Sequence, residues 1–244
     1  MFMNKPLYLV CLAMFSFSAS ASDVYLSAVG SYANGDKALE VDGYSLSNRT
    51  GGLGIEMGGR LLDGYIDASG SVQYAVSSDT SAAFLGASVS GPADLTTLRY
   101  DIRLYALPKS IVTPYLSVAR MTYDGNVDFS GTRNGSVVTG KADVDFNRTT
   151  TGLGLRYTHN DSLDVSAEFG TSSWRIRSVA NGTMGIITAT TTLDTKHDDD
   201  YLKLGFTYDL GDSLSVHGSL SQYELTGDNS TQSLETSAGL RYAF

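Results

Sequence analysis

The last twelve residues, S-L-E-T-S-A-G-L-R-Y-A-F, admit few structures. Leu234, Thr236, Ala238, Leu240, Tyr242 and Phe244 fall on one face, and Glu235, Ser237, Gly239, Arg241 and Ala243 on the other. A period of two with one charged face is the signature of a half-buried β-strand. The pattern recurs upstream. Leu98, Tyr100, Ile102, Leu104 and Ala106 alternate with Arg99, Asp101, Arg103 and Tyr105. Leu163, Val165, Ala167 and Phe169 oppose Asp164, Ser166, Glu168 and Gly170, and Leu202, Leu204, Phe206, Tyr208 and Leu210 oppose Lys203, Gly205, Thr207 and Asp209.

These strands belong to a repeated hairpin. T-G-L-G-L-R-Y-T-H-N-D-S-L-D-V-S-A-E-F, with its tyrosine at Tyr157, parallels L-K-L-G-F-T-Y-D-L-G-D-S-L-S-V-H-G-S-L, with Tyr208. Each is a strand, a tyrosine, a short Asn/Asp/Gly turn and a second strand. The segment from Gly51 to Tyr65 is a weaker copy, and the chain ends half-way through another. Ten strands are predicted, near 24–32, 50–58, 64–77, 95–106, 113–124, 148–158, 163–175, 200–210, 213–225 and 233–244. Hydrophilic outer loops are expected near 33–49, 78–94, 125–147, 176–199 and 226–232. Short turns on one side and long loops on the other are the asymmetry of transmembrane barrels. The expected fold is all-β: a closed antiparallel transmembrane β-barrel of about ten strands, with eight as the alternative. A soluble β-sandwich would need its apolar faces to meet each other. In a closed barrel they can face lipid, because closure satisfies every backbone group.

The first 21 residues read as a signal peptide, leaving 22–244 as the barrel. Lys5 is their only charge, an apolar run spans Leu7 to Phe17, and Ala19-Ser20-Ala21 forms an A-x-A cleavage site. The run is too short to span a bilayer as a helix, which takes about 20 residues. The single cysteine, Cys11, falls within it, so the mature chain has no thiol for catalysis, disulfides or metal binding. The formal charge of −9 argues against nucleic-acid partners. Prolines are few, and Pro92, Pro108 and Pro114 fall near predicted turns, loops or a strand start.

An Arg or Lys at mid-bilayer on the lipid face of a barrel costs about 2–4 kcal/mol, so the charged faces must form the lumen. The lumen network is then Glu56, Asp67, Arg99, Asp101, Arg103, Arg156, Asp164, Glu168, Lys203, Asp209, Glu235 and Arg241, with Arg120 as a further candidate. Acids and bases nearly balance, which predicts ion-pair networks or bound water. A barrel of about eight strands is filled by its side chains, whereas wide aqueous channels take roughly 16–18. The lumen is therefore expected to be nearly plugged. Gly52, Gly54, Gly152 and Gly154 lie on the lumen side, either making room for long side chains or easing strand curvature. Tyr157, Tyr208, Tyr242 and Phe244 form one aromatic girdle on the apolar face. Trp174, Tyr123 and Tyr223 lie near the outer rim, and the alternation leaves the facing of the two tyrosines open.

Candidate chemistry is sparse. His217-x-Ser219 resembles an element of an outer-membrane lipid A deacylase, but Leu214, Val216 and Leu220 take the lipid face and turn the pair inward; Glu224 is the nearest acid. Asp143-x-Asp145 and His197-Asp198-Asp199-Asp200 are loosely similar to the acids and Asp–His pair of omptin proteases, which are also ten-stranded barrels. The D-x-H spacing is absent, since Asp194 and His197 are three apart. An Asp-rich loop is more often a solvated face, or a weak Ca²⁺ site. No catalytic set, metal spacing or cofactor motif is expected.

Tyr242-x-Phe244 at the end of the chain resembles the terminal signal of bacterial outer-membrane proteins, which implies recognition by the barrel-assembly machinery. In hairpin unit, terminal strand and size, the chain is similar to small outer-membrane barrels of the OmpA-like and opacity/porin-like superfamily. The resemblance implies location in the outer membrane, with its lipid and lipopolysaccharide as partners. It implies a surface-binding, adhesive or envelope-structural role through the outer loops, or alternatively a narrow channel for small solutes. An omptin-like protease is a distant third.

Overall fold

The computed structural model describes residues 23–41, 44–84, 86–225 and 232–244. The predicted cleavage site after Ala21 and most of the 226–232 loop lie outside the described residues. The chain forms β1 (Asp23–Val41), β2 (Tyr44–Leu61), β3 (Ile66–Phe84), β4 (Ala87–Tyr105), β5 (Val112–Arg133), β6 (Ser136–His159), β7 (Leu163–Met184), β8 (Ile187–Asp209), β9 (Leu214–Leu225) and β10 (Gln232–Ala243). Each strand pairs with its sequence neighbours, and β1 pairs with β10, closing a ten-stranded antiparallel barrel. In the closing register Tyr25 faces Ala243 and Gly35 faces Ser233, so both ends of the barrel chain lie at one rim.

The alternation sets the facing. Leu53, Ile55, Ile102, Leu116, Leu153, Phe169, Leu202 and Leu240 are exposed on the outer surface. Tyr157, Tyr208, Tyr242 and Phe244 are exposed at the rim that holds the termini. There the connections are short: 62–65, 106–111, the 3₁₀ turn Asn160–Ser162 and 210–213.

Most of the expected outer loops prove to be strand. The β5–β6 ladder runs without a shift to Arg133 opposite Ser136, around Asn134-Gly135 with positive φ at both residues. That is the Asn-Gly type I′ hairpin. The β7–β8 ladder runs to Met184 opposite Ile187, around Gly185-Ile186 with positive φ at the glycine alone. Residues 125–147 and 176–199 are therefore hairpin arms, and the same holds for the described parts of 33–49 and 78–94. Thr188, Thr190 and Thr192 take outward positions there while Val127, Phe129, Val138 and Ala142 point inward, so mean hydrophilicity hid a period of two. Pro92, expected near a loop, sits within β4, where the β3–β4 register shifts between Ser77 and Thr80. Proline is tolerated in a sheet where the ladder is already interrupted.

These arms carry a core of their own. Phe84, Ala87, Val89, Leu95, Val127, Phe129, Val138 and Ala142 are buried together, with the rings of Phe84 and Phe129 5.1 Å apart. Above the lipid band both faces of a sheet meet water, so apolar residues can be shielded only by closing over one another. The rise is lopsided: β9 and β10 have 12 residues each, while β5 to β8 have 22 to 24. A closed wall has no free edge within the membrane from which to unravel. Unboiled protein is therefore expected to migrate differently from boiled protein on detergent gels, and identical migration would contradict closure.

Candidate functional site

The lumen holds the molecule's densest chemistry, supplied by inward positions of every strand. Asp101, on β4, is the hub. Its carboxylate lies 3.4 Å from Arg99 Nη2, 3.4 Å from Arg103 Nε and 3.5 Å from Lys203 Nζ on β8. Arg99, Asp101 and Arg103 share a face because they recur every second residue. Lys203 reaches across the barrel. Three cations on one carboxylate knit opposite walls together.

The remaining charges form satellites around this hub. Arg241 lies 3.5 Å from Glu56 and 3.7 Å above the Tyr25 ring. Arg60 lies 3.7 Å from Asp164. Arg156 donates to the Pro108 carbonyl at 2.9 Å and lies 4.5 Å from the Tyr105 ring centre. Tyr201 donates to Glu168 at 2.5 Å. Arg148 is ion-paired with Glu235 and sits 4.1 Å over Tyr223. Guanidinium over an aromatic face is a favourable electrostatic contact that needs no further charge. Asp67 lines the same central cavity, while Asp209 is exposed at the terminal rim. Asp101 thus draws together Arg99, Arg103 and Lys203, while Asp209 stands apart.

Arg120 is not among them. It is exposed on the outer face of β5, opposite Tyr100 and Thr149. It follows the outward row of Leu116 and Val118, and as that row leaves the lipid band a cation can meet water or headgroups. Arg60, Arg148, Tyr25, Tyr115 and Tyr201 are lumen residues that sequence reasoning missed. Extending the alternation by one pair beyond the expected end at residue 58 reaches Arg60, while Arg148 already shares the even parity of Arg156 within the expected 148–158 strand.

Trp174, Tyr123 and Tyr223 belong to the lumen rather than an outer girdle. Trp174 and Tyr223 are 5 % and 4 % exposed. The Trp174 indole donates to Asp199 at 2.7 Å, and its ring neighbours Phe146 and His197. Tyr123 packs edge-on against Phe146. A buried indole N–H needs an acceptor, and Asp199 supplies it only on the inside.

Gly152 and Gly154 make room for long side chains, and Gly52 and Gly54 serve a different purpose. A Cβ on Gly154 would strike the Tyr115 ring, and one on Gly152 would strike Tyr201 Oη, so these two make room for inward tyrosines. A Cβ on Gly54 would strike the β3 backbone at Val72, and Gly52 lies close against β3 at Ala75, so there glycine permits close strand approach.

The possible catalytic groups are dispersed. His217 Nε2 lies 2.6 Å from Ser27 Oγ, whereas Ser219 hydrogen-bonds Ser237 at 2.8 Å, so the expected H-x-S pair does not form. His217 can reach Ser27 because the intervening Gly239 has no side chain in its path. The side chain of Glu224 lies outside the described residues. The His197–Asp200 run is strand rather than loop: His197 and Asp199 point inward, 3.2 Å apart, while Asp198 and Asp200 point outward. Asp143 and Asp145 are exposed on the outer face of β6. Asp194 is also exposed outside, and Arg175, hydrogen-bonded to it at 2.6 Å, holds its carboxyl below the usual range with help from Arg177. Among the described residues no group of three or more His, Cys, Asp or Glu side chains could hold a metal ion.

No protein-family model matches the chain, and no curated protein matches its sequence. Solved structures do resemble it. The translocator domain of the autotransporter NalP from Neisseria meningitidis is 10% identical, covers 97% of this chain and 95% of its own, and gives a TM-score of 0.60. The β domain of the Bordetella autotransporter BrkA is 14% identical, covers 92% and 100%, and gives 0.52. The outer-membrane protease OmpT from Escherichia coli is 12% identical, covers 91% and 95%, and gives 0.51. At such identities the likeness is one of fold: this chain has the fold of outer-membrane β-barrels.

Proposed function

We propose that this protein, exported with loss of residues 1–21, resides in the outer membrane and works at the cell surface as a binding, adhesive or envelope-structural protein. The observation that carries this reading is the apolar core above the lipid band. A folded sheet built around Phe84, Phe129 and Val138 presents a fixed surface outside the cell, whereas the lumen is crossed by ion pairs centred on Asp101. The lipid and lipopolysaccharide around the barrel, and the assembly machinery that inserts it, are the partners that follow from such a location.

One observation favours a narrow channel as the second reading. Ser69 and Ser71 on β3, beside Asp101 and Arg99, and Ser219 and Ser237 on β9 and β10 line a central cavity of about 140 Å³ together with the arginines. A vestibule of about 1170 Å³ opens at the terminal rim. Purified protein in a planar bilayer separates the two readings. The surface role predicts little steady conductance. Steady conductance in the native protein would favour the channel.

A further inference from the structure

Two spaces inside the barrel meet at a neck. The central cavity of about 140 Å³ and the vestibule of about 1170 Å³ at the terminal rim share Arg60, Arg156 and Arg241 in their linings. Among the described residues, Asp164 is the one carboxylate common to both. Arg60 comes from β2, Arg156 from β6 and Arg241 from β10, so the three guanidiniums reach the neck from different walls. The central cavity as a whole is lined by six Arg or Lys side chains and four Asp or Glu side chains. Charges that nearly balance along the lumen do not balance here.

Arg156 is the cation at this neck that lacks a carboxylate. Arg60, Arg99, Arg103, Arg148, Lys203 and Arg241 each have one at 3.7 Å or less. Arg156 is buried, yet among the described residues its partners are the Pro108 carbonyl at 2.9 Å and the Tyr105 ring at 4.5 Å. Both partners are neutral and leave the charge of the guanidinium uncompensated. Its Nε has no hydrogen-bond partner among the described residues. A buried cation without a counter-charge is costly, and an anionic ligand removes that cost. Nε and a neighbouring Nη form the planar fork that matches two oxygens of an oxyanion.

We propose that this neck binds a small oxyanion of the phosphate type, taken from the water at the terminal rim, with Arg156 as the principal ligand and Arg60 and Arg241 completing the site. A tetrahedral anion presents oxygens to several walls at once, whereas a carboxylate presents one planar edge. The central cavity has space for on the order of ten waters, enough for such an ion with part of its hydration shell. Thr207 lines both spaces and supplies a hydroxyl donor at the same level. Arg60 and Arg241 keep their pairs with Asp164 and Glu56, so the anion adds to the network without dismantling it. The rim with the short turns is the periplasmic side of such barrels, so the ligand enters from the periplasm. The site goes beyond the surface-binding reading and does not depend on it, since a blind pocket and a passage can each hold an anion. Conductance tests that reading, and phosphate binding tests this one.

The probe is inorganic phosphate, titrated into the full barrel in detergent micelles at constant ionic strength. Binding is followed by calorimetry and by the temperature at which the folded gel band is lost. Saturable binding at a single site is expected, with a rise in that temperature. Arg156→Gln removes a charge-assisted pair and is expected to weaken binding at least about tenfold. Arg156→Lys keeps the charge without the fork and should fall between the two. Arg120→Gln, on the outer face, should leave binding unchanged. Heat-modifiable migration shows that each variant has folded. Asp161→Asn, in the adjoining 3₁₀ turn, should also leave the affinity unchanged. A large gain in that variant would show that a carboxylate already compensates Arg156, and overturns the proposal. Absence of saturable phosphate binding overturns it, as does equal binding by the native protein and Arg156→Gln. Loss of binding in Arg120→Gln would move the site to the outer face and overturn it too. Chloride or acetate binding as tightly as phosphate would overturn the class of ligand named here.

Discussion

Replacing Asp101 by Asn is expected to open the lumen and loosen the barrel in one step. The native carboxylate is shared by Arg99, Arg103 and Lys203, all within 3.5 Å. Asparagine keeps the volume and removes the charge, leaving three cations to repel one another. Removing one partner of a buried pair costs about 3–5 kcal/mol. Asp101 keeps 14% of its side chain accessible, which places this case toward the lower end. The temperature at which the folded gel band is lost should fall, and single-channel conductance should rise from near silence. Arg103→Ala should do less, because Arg99 and Lys203 still compensate Asp101. Ile102→Ala, the adjacent residue at 45% exposure on the lipid face, should leave conductance alone. The ordering Asp101, Arg103, Ile102 is itself the test. Equal effects of all three, or a native protein that already conducts steadily, would show that the network does not close the passage.

Deleting Phe244 is expected to reduce assembled protein in the outer membrane several-fold while leaving the purified barrel nearly as stable. Phe244 contributes little to the closed structure. Its ring is 78% exposed, its N–H donates to the Val24 carbonyl at 3.0 Å, and it meets Tyr242 edge-on at 5.2 Å. An aromatic pair of this kind is worth about 0.5–1.5 kcal/mol, small beside the ladders joining β10 to β1 and β9. A large loss in cells with a small loss on refolding from urea into detergent would place Phe244 in recognition by the assembly machinery. Equal losses in both settings would make its role structural. Normal amounts in the outer membrane would remove the terminal residue from the recognition signal.

Much of the lumen was legible because alternation is a strong local signal. Arg99, Asp101 and Arg103 could face only one way once Leu98, Ile102 and Leu104 required lipid. Where an element ran past its expected end, the reading stopped with it. Arg60 continues the inward row of Glu56 past the expected end at Gly58, and Arg148 stands at the first position of its expected strand, on the inward row of Arg156. Trp174 shares the parity of Glu168, and the preference of tryptophan for membrane interfaces competed with that parity; its hydrogen bond to Asp199 decides the matter.

The long hairpin arms look like loops in the sequence because their threonines are hydrophilic. In a strand exposed to water on its outer face, threonine is a β-former with a solvated hydroxyl. The short I′ turn at Asn134-Gly135 was the local clue that a hairpin continued there.

The sequence by itself determined the strand periodicity, the barrel class, the inward charged face and the even strand count, since each depends on residues two apart or on hairpin turns. Tertiary structure alone decided which charges meet, that Asp101 rather than any other acid is the hub, that His217 turns to Ser27 rather than Ser219, and that β5 to β8 rise into long paired arms. Those outcomes depend on stagger around the closed wall and on unequal hairpin heights. Such contacts join residues about a hundred positions apart, as between Asp101 and Lys203, and no local period specifies them.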